Sequence, residues 1–447
     1  MSSSSTPPSY AAVLRTRYAR RTFGAALLGR LSYGMISLSL VLAVKEATDS
    51  YAVAGTVMAL FALTSVFLSP TRAGLVDRYG PRRALLPMAV AYSLLLTALA
   101  FATSWSGASG VLLGILALPA GACTPPLGPV MRTVWSDLLP DRRMVQRAYS
   151  LDAVAEELLF VVGPLLVGLL VQVSAASVGL GVSAALVLIG TVTMVSSPAV
   201  RSWVGRKEAE EAVEGKGATE ATAGKEASGG DSGASRRRLL LADPGLRQAI
   251  VVSATVGICL GAFELLVIAF ADAHHEPAAV AWILAALCGG SAAGGLIYGA
   301  VSWRASSRLR LAFVAGALGL TLAAAGLSPH PYVLIAWAAL GGLFIAPAIT
   351  TAYLIADECS TPATRTQAGA WVNTSFNAGS AGATAAVGLL VGRLPLAVCF
   401  ALAAIPVVSS AATVLRRPRR AVADSDATLE SAQEQARDTA RRVSVSK

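Results

Sequence analysis

The sequence predicts an all-α membrane protein of about twelve transmembrane helices, arranged as two six-helix pseudo-repeats around a central cavity. Three observations predict it. Of the 447 residues, 55% are apolar and only 14% are charged. A soluble domain carries about 25% charged residues and could not hide so much apolar surface. Apolar runs of the roughly 20 residues needed to cross lipid recur along the whole chain. One long polar segment, 198–245, then divides those runs into two equal sets.

The runs fall near 24–44, 51–70, 85–104, 110–137, 148–172 and 178–197 before that segment, and near 247–271, 278–302, 311–328, 332–356, 366–392 and 395–415 after it. They are continuous rather than alternating, and far longer than the roughly ten residues of a barrel strand. The arm 1–23 precedes them. Its Ser/Pro-rich start is no signal peptide, because the first apolar run is too long and no small-residue cleavage pattern follows. Segment 198–245 is rich in Glu, Lys, Gly, Ala and Ser and reads as a flexible linker. The bundles therefore occupy 24–197 and 246–415, and the polar tail 416–447 is expected to be disordered.

Basic residues alternate between the loops, and the net charge of +10 follows from that. One side carries Arg15, Arg17, Arg20 and Arg21, then Arg72, Arg78, Arg82 and Arg83, then Arg142, Arg143 and Arg147, then Arg304, Arg308 and Arg310. The loops of the other side hold only Lys45 and Arg393. Both termini and the linker are thus expected in the cytoplasm, and nucleic acid is not an expected partner. Cys123, Cys259, Cys288, Cys359 and Cys399 form no metal-ligand or redox spacing and read as small apolar packing residues. No phosphate-binding loop or catalytic triad is visible, so neither a cofactor nor an enzyme activity is expected.

The two sets of runs overlay. Arg78 falls on Arg304, Arg82 on Arg308 and Leu85 on Leu311; a slightly different register puts Gly121 on Gly342, Pro126 on Pro347 and Gln146 on Gln367. Parallel six-helix repeats of this kind occur in transporters, with the substrate site between the halves.

Gly74-Leu75-Val76-Asp77-Arg78-Tyr79-Gly80-Pro81-Arg82-Arg83 is similar to the signature loop of the major facilitator superfamily, with Ala73 where the first Gly of that loop would fall. Gly163-Pro164-Leu165-Leu166-Val167-Gly168 resembles the Gly-Pro motif of the proton-coupled exporters of that family, with Val167 in place of one Gly. Their mid-helix Arg is not found; Ala117 stands near its place. The resemblance covers roughly residues 20–415. It implies alternating access, a small-molecule substrate, protons as coupling partner and a functional monomer in the plasma membrane. It also implies efflux, with uptake as the alternative and a non-transporting scaffold or sensor as the alternative of another class. Asp77, Arg78, Gly80, Arg82 and Arg83 would form the gating loop that latches the outward-open state. On physical grounds alone, Asp77 either caps a helix N-terminus, pairs with an Arg, or belongs to a solvated basic loop.

Charges inside lipid are costly and mark pathways or pairs. Arg30 lies roughly 10 Å into the first span at 1.5 Å per residue, where it either meets a substrate anion or carboxylate or snorkels to the interface. Arg132 ends the fourth span. Asp152, Glu156 and Glu157 follow on the fifth, with Asp152 and Glu156 on one face at i, i+4. Arg132 is the expected partner of that pair, as a proton relay or as a structural bridge. The repeat places Asn373 and Asn377 at the matching positions, without charge. Glu264 stands alone in the outer half of the seventh span as a further proton or cation candidate. Trp371 and Tyr353 read as substrate contacts or interfacial anchors. Pro119, Pro125, Pro126 and Pro129 interrupt the fourth span, as happens where a helix lines a cavity.

Overall fold

The computed structural model describes residues 9–105, 107–201 and 240–416. Most of the expected linker (202–239) and the tail 417–447 lie outside the described residues. The first bundle comprises a short helix α1 (Tyr10–Arg15) followed by α2 (Ala19–Thr48), α3 (Tyr51–Phe67), α4 (Ser69–Tyr79), α5 (Pro81–Thr103), α6 (Gly110–Cys123), α7 (Leu127–Leu138), α8 (Arg142–Val171) and α9 (Ser177–Val195). The second comprises α10 (Pro244–Ala273), α11 (Ala279–Ala300), α12 (Ser307–Ala325), α13 (Pro331–Gly342), α14 (Ile345–Glu358), α15 (Arg365–Leu390) and α16 (Leu396–Arg416). Ser50, Asp141, Asp243 and Ser306 start their helices by accepting from first-turn amides. Among the described residues the only β feature is an isolated bridge between Val391 and Leu394.

Among those residues, ten helical stretches are long and apolar enough to cross a membrane, and eleven if α3 and α4, bent by 43°, form one span. The 26-residue α15 is long enough but less apolar, because Gln367, Asn373, Ser375 and Asn377 punctuate it. With α15 the layout is the expected two bundles of six. Three spans are broken. The second bends at Leu68, the fourth stops at Thr124-Pro125-Pro126, and the tenth turns at Leu343-Phe344. Proline explains the fourth, since it lacks an N–H and clashes with the preceding turn.

Within each bundle, small residues let backbones meet. A Cβ added at Gly34 of α2 would lie 2.3 Å from the Leu159 carbonyl oxygen of α8, and one at Gly163 would lie 2.4 Å from the Gly34 backbone. In the second bundle, Gly257 and Gly261 of α10 press on the backbone of Phe376 and Ser380 on α15. Outward-facing Phe101, Leu165, Leu169, Phe313, Leu320 and Ile405 are exposed, as a lipid-facing surface requires.

The bundles join at the end that carries the basic loops. Asp77 accepts from the backbone amides of Thr366 (3.3 Å) and Gln367 (2.9 Å), at the N-terminus of α15. The Thr133 and Thr366 hydroxyls are 3.1 Å apart. Gln146 donates to the Tyr298 carbonyl at 2.9 Å and Arg147 to that of Ala300 at 3.1 Å. Arg365 bridges Asp137 at 2.7 Å and Asp357 at 2.8 Å.

Two loop expectations change here. The expected loop after the second span is mostly helix. α4 runs to Tyr79, and α5 begins at Pro81, so Gly80 alone makes the turn, with a φ of 80° that favours glycine. Arg72 and Arg147, counted above with the loop arginines, are buried at 5% and 4% exposure. Arg72 turns inward because the broken helices offer it the carbonyls of their last turns, at Ser65, Gly121 and Ala122. Arg147 turns inward because α11 packs against α8 and presents Ala300.

Candidate functional site

A cavity of about 700 Å³ lies between the bundles, on the far side of the closed end. Arg30, Glu156, Glu157, Glu264, Tyr353, Asn373 and Asn377 all line it, with Pro125 and Pro126 where the fourth span is broken. The break is what lets α7 turn Arg132 toward α8.

At its floor four charges form one cluster. Asp152 is fully buried and bridges Arg30 at 2.6 Å and Arg132 at 3.0 Å. Glu156, one turn further along α8, bridges Arg30 at 2.9 Å and also Arg132. Two guanidiniums thus face two carboxylates, so each buried charge is matched. Asp152, Arg30 and Arg132 are closed off, while the Glu156 side chain is 28% exposed, toward the cavity. The i, i+4 spacing of the carboxylates sets this geometry: both point to one face, and Arg30 and Arg132 approach from the neighbouring helices.

The second bundle caps the cluster. The Arg132 guanidinium stacks on the Tyr353 ring at 3.6 Å, a cation–π contact. The Tyr353 hydroxyl donates to Asn373 Oδ1 at 3.3 Å, and Asn377 Nδ2 donates to the Asn373 carbonyl at 2.8 Å. The structure therefore brings together Arg30, Arg132, Asp152, Glu156, Tyr353, Asn373 and Asn377.

Other candidates lie apart from this cluster. Glu157 accepts from the Ser291 hydroxyl of α11 at 2.5 Å, and that hydroxyl accepts in turn from the Ala346 amide at 3.1 Å. Glu264 is exposed into the cavity from α10. Trp371 packs against the apolar core and does not line the cavity. Asp77 sits at the interface, whereas Arg78, Arg82 and Arg83 are exposed on the outer side of the same turn. Gly163 is a helix-crossing residue, Pro164 lies inside α8, and Gly168 faces open space. Sequence reasoning paired Arg132 with the α8 carboxylates but left the partner of Arg30 open. The available signal was the balance of two buried arginines against two buried carboxylates on neighbouring spans. It missed Arg72 as a cavity residue altogether.

The family model described as Major Facilitator Superfamily matches residues 22–316 and 265–442. The chain belongs to that superfamily. It is a multi-pass membrane protein of a transporter family. No curated protein matches it by sequence. Among solved structures, the superfamily fold is shared with the fucose:proton symporter of E. coli, at a TM-score of 0.61 and 14% identity over 88% of this chain and 98% of that one. The human organic anion transporter MFSD10 (TETRAN) is similar at a TM-score of 0.60 and 15% identity, again over 88% and 98% of the two chains. Members of the superfamily move small molecules by presenting one central site to either side of the membrane in turn, and the cavity here lies at the interface that such motion requires.

Proposed function

We propose that this protein is a proton-coupled secondary transporter that exports a small organic molecule by alternating access, acting as a monomer in the plasma membrane with both termini in the cytoplasm. Glu156 carries the proposal. It is one member of a charge-matched cluster and, of the two carboxylates there, the one that lines the cavity. Gain of a proton there changes the cluster from neutral to singly positive. Tyr353 of the second bundle sits directly on that cluster and bonds to Asn373, so the change in charge acts on the interface between the halves. Glu157 and Glu264 offer further proton sites along the same cavity.

The direction rests on the Gly-Pro motif of α8, whose Gly163 supports the close crossing with Gly34. Uptake is the second reading. Ala117 stands where the exporters carry an Arg, and one structural neighbour is a fucose:proton symporter.

The test is reconstitution in proteoliposomes with an imposed pH gradient and a panel of labelled organic compounds. Gradient-driven accumulation is expected in the wild type. Glu156→Gln or Glu264→Gln should abolish it while leaving gradient-independent exchange, because an amide holds the shape but does not titrate. Full gradient-driven transport by both variants would overturn the assignment. Absence of any transport, with normal binding of cavity ligands, would favour a sensor on the same fold.

A further inference from the structure

Arg72 belongs to neither the charge cluster nor the interface bonds, and it is 5% exposed on the cavity wall. Its Nη1 donates to the carbonyls of Gly121 (2.6 Å) and Ala122 (3.0 Å), and its Nη2 to that of Ser65 (2.5 Å). These carbonyls belong to the last turns of α6 and α3, where the fourth and second spans break and helix ends leave carbonyls under-satisfied; that of Gly121 also accepts from the Thr124 amide at 3.3 Å. A guanidinium has five N–H donors. Three are spent on neutral oxygens, Nε has no hydrogen-bond partner, and one Nη2 hydrogen remains. Among the described residues Arg72 enters no salt bridge within 4.0 Å.

The helix ends offset only part of its charge, each supplying about half an elementary charge that falls off within a turn. The other two cavity-floor arginines are matched by carboxylates; Arg72 is not. A buried cation without a counter-ion is costly, and an incoming anion would relieve that cost. Tyr33, Ser65, Tyr92 and Thr124 line the same cavity, but the hydroxyls of Tyr33, Ser65 and Thr124 already donate to the Pro125 carbonyl, Thr124 Oγ1 and the Ala120 carbonyl, which leaves the guanidinium as the charged donor of that wall. Phe61, Leu260, Ile349 and Phe376 supply apolar surface in the same cavity, alongside the charged and amide side chains named above.

We propose that Arg72 is the anchor for the anionic head of the transported molecule, which is an organic carboxylate or sulfonate with an apolar body. This rests on the transport reading for the word "transported" alone. Binding itself is measured without a gradient, so failure of one does not imply failure of the other.

The experiment is titration calorimetry on the purified full-length protein with four matched probes. These are naphthalene-2-carboxylate, naphthalene-2-sulfonate, naphthalene-2-carboxamide and 2-(aminomethyl)naphthalene. Both anions should bind at least about tenfold more tightly than the carboxamide, as loss of one charge-assisted contact of about 1.5–3 kcal/mol implies. Arg72→Gln should erase that preference, so that both anions bind the folded variant no more tightly than the carboxamide does. If that variant does not fold, Ser69→Asp provides the second arm. Ser69 lies one turn before Arg72 on α4 and also lines the cavity, so a carboxylate there should neutralise the guanidinium and remove the preference. Anions that bind no better than the carboxamide, an amine that binds tightest, or a preference that survives in either folded variant would each overturn the proposal.

Discussion

Asp77→Asn is the sharpest test of the closed interface. The carboxylate accepts from Thr366 and Gln367 at 3.3 and 2.9 Å, on the first turn of α15. That helix end carries about half a positive charge. Hydrogen bonds to a charged group contribute about 1.5–3 kcal/mol against about 0.5–1.5 for a neutral one. Losing the charge while keeping the shape should therefore cost about 2 kcal/mol over the pair of bonds. These bonds join the two bundles, so the cost falls on the state that is closed at the basic end. At 1.4 kcal/mol per tenfold, the competing open state should gain about 30-fold in relative population. Ala370 provides the readout. It is fully buried on the α15 face between Gln367, which packs on Gly74, and Thr374, which donates to the Val66 carbonyl at 3.1 Å. In a background without the five native cysteines, Ala370→Cys should react with a water-soluble maleimide in proportion to the open population. Adding Asp77→Asn should raise the rate about 30-fold. An unchanged rate in a folded double variant would refute the latch.

Three further outcomes follow from local geometry. Gly163→Ala should lower the melting temperature in detergent, because its Cβ would sit 2.4 Å from the Gly34 backbone, whereas Gly168→Ala, which meets nothing within 4 Å, should not; equal effects would refute the crossing argument, whose scale is about 1–3 kcal/mol. Burial, with Asp243 beside it, pushes the Cys359 thiol up to about 12, so its thiolate is scarce at neutral pH; alkylation by iodoacetamide should be slow at pH 7 and rise about tenfold per pH unit above it, and a rate matching free cysteine at pH 7 would contradict this. Tyr10 of α1 donates to the Leu296 carbonyl on α11 at 2.6 Å, and burial holds its phenol up at about 12, so the strap should be complete below pH 10 and lost only as pH rises toward 12; Tyr10→Phe should speed Ala370→Cys labelling a few-fold by losing about 0.5–1.5 kcal/mol, equally at pH 6 and pH 9, and an effect confined to one pH would sink it.

The helical layout was legible because its signals are local. Apolar run length, alternation of basic loops and the Pro125-Pro126 break each need only neighbouring residues. The pairing of Arg132 with the α8 carboxylates was legible for the same reason, since α7 and α8 are joined by a short turn. Arg30 was harder: it lies 122 positions from Asp152, and no periodicity reports that α2 crosses α8 at Gly34. Arg72 was misplaced because a basic residue near a helix end looks the same whether it turns out to water or in toward helix-end carbonyls. What decides is the bend at Leu68, which Pro70 in the first turn of α4 favours but does not aim. Trp371 illustrates the converse. An aromatic beside Asn373 on α15 suggests a binding face, yet helical rotation carries it to the core while Asn373 faces the cavity.

The two bundles solve one packing problem in two ways, and the difference locates the chemistry. In each, the first helix crosses the fifth through a glycine pressed on a carbonyl: Gly34 on Leu159, and Gly261 on Ser380, both with an added Cβ 2.3 Å from the oxygen. Leu159 and Ser380 match in the register that aligns Gln146 with Gln367. One turn toward the basic end the bundles diverge. The first places Arg30 there, facing Asp152 and Glu156. The second places Gly257, whose missing side chain lets α10 close directly onto Phe376, beside Asn373 and Asn377. A side chain as large as Arg cannot enter that contact without separating the helices. At this crossing the second bundle is thereby tightly packed and its polar positions Asn373 and Asn377 carry no charge, whereas the first holds the titratable cluster. Under the proposed proton coupling, a proton taken up at Glu156 reaches the second bundle through Tyr353, which rests on Arg132 and bonds to Asn373. Tyr353→Phe keeps the ring over Arg132 and removes the bond to Asn373. It should therefore preserve substrate binding and weaken the coupling of transport to the pH gradient. Gradient-driven transport at the wild-type ratio to exchange would show that the proton acts by another route.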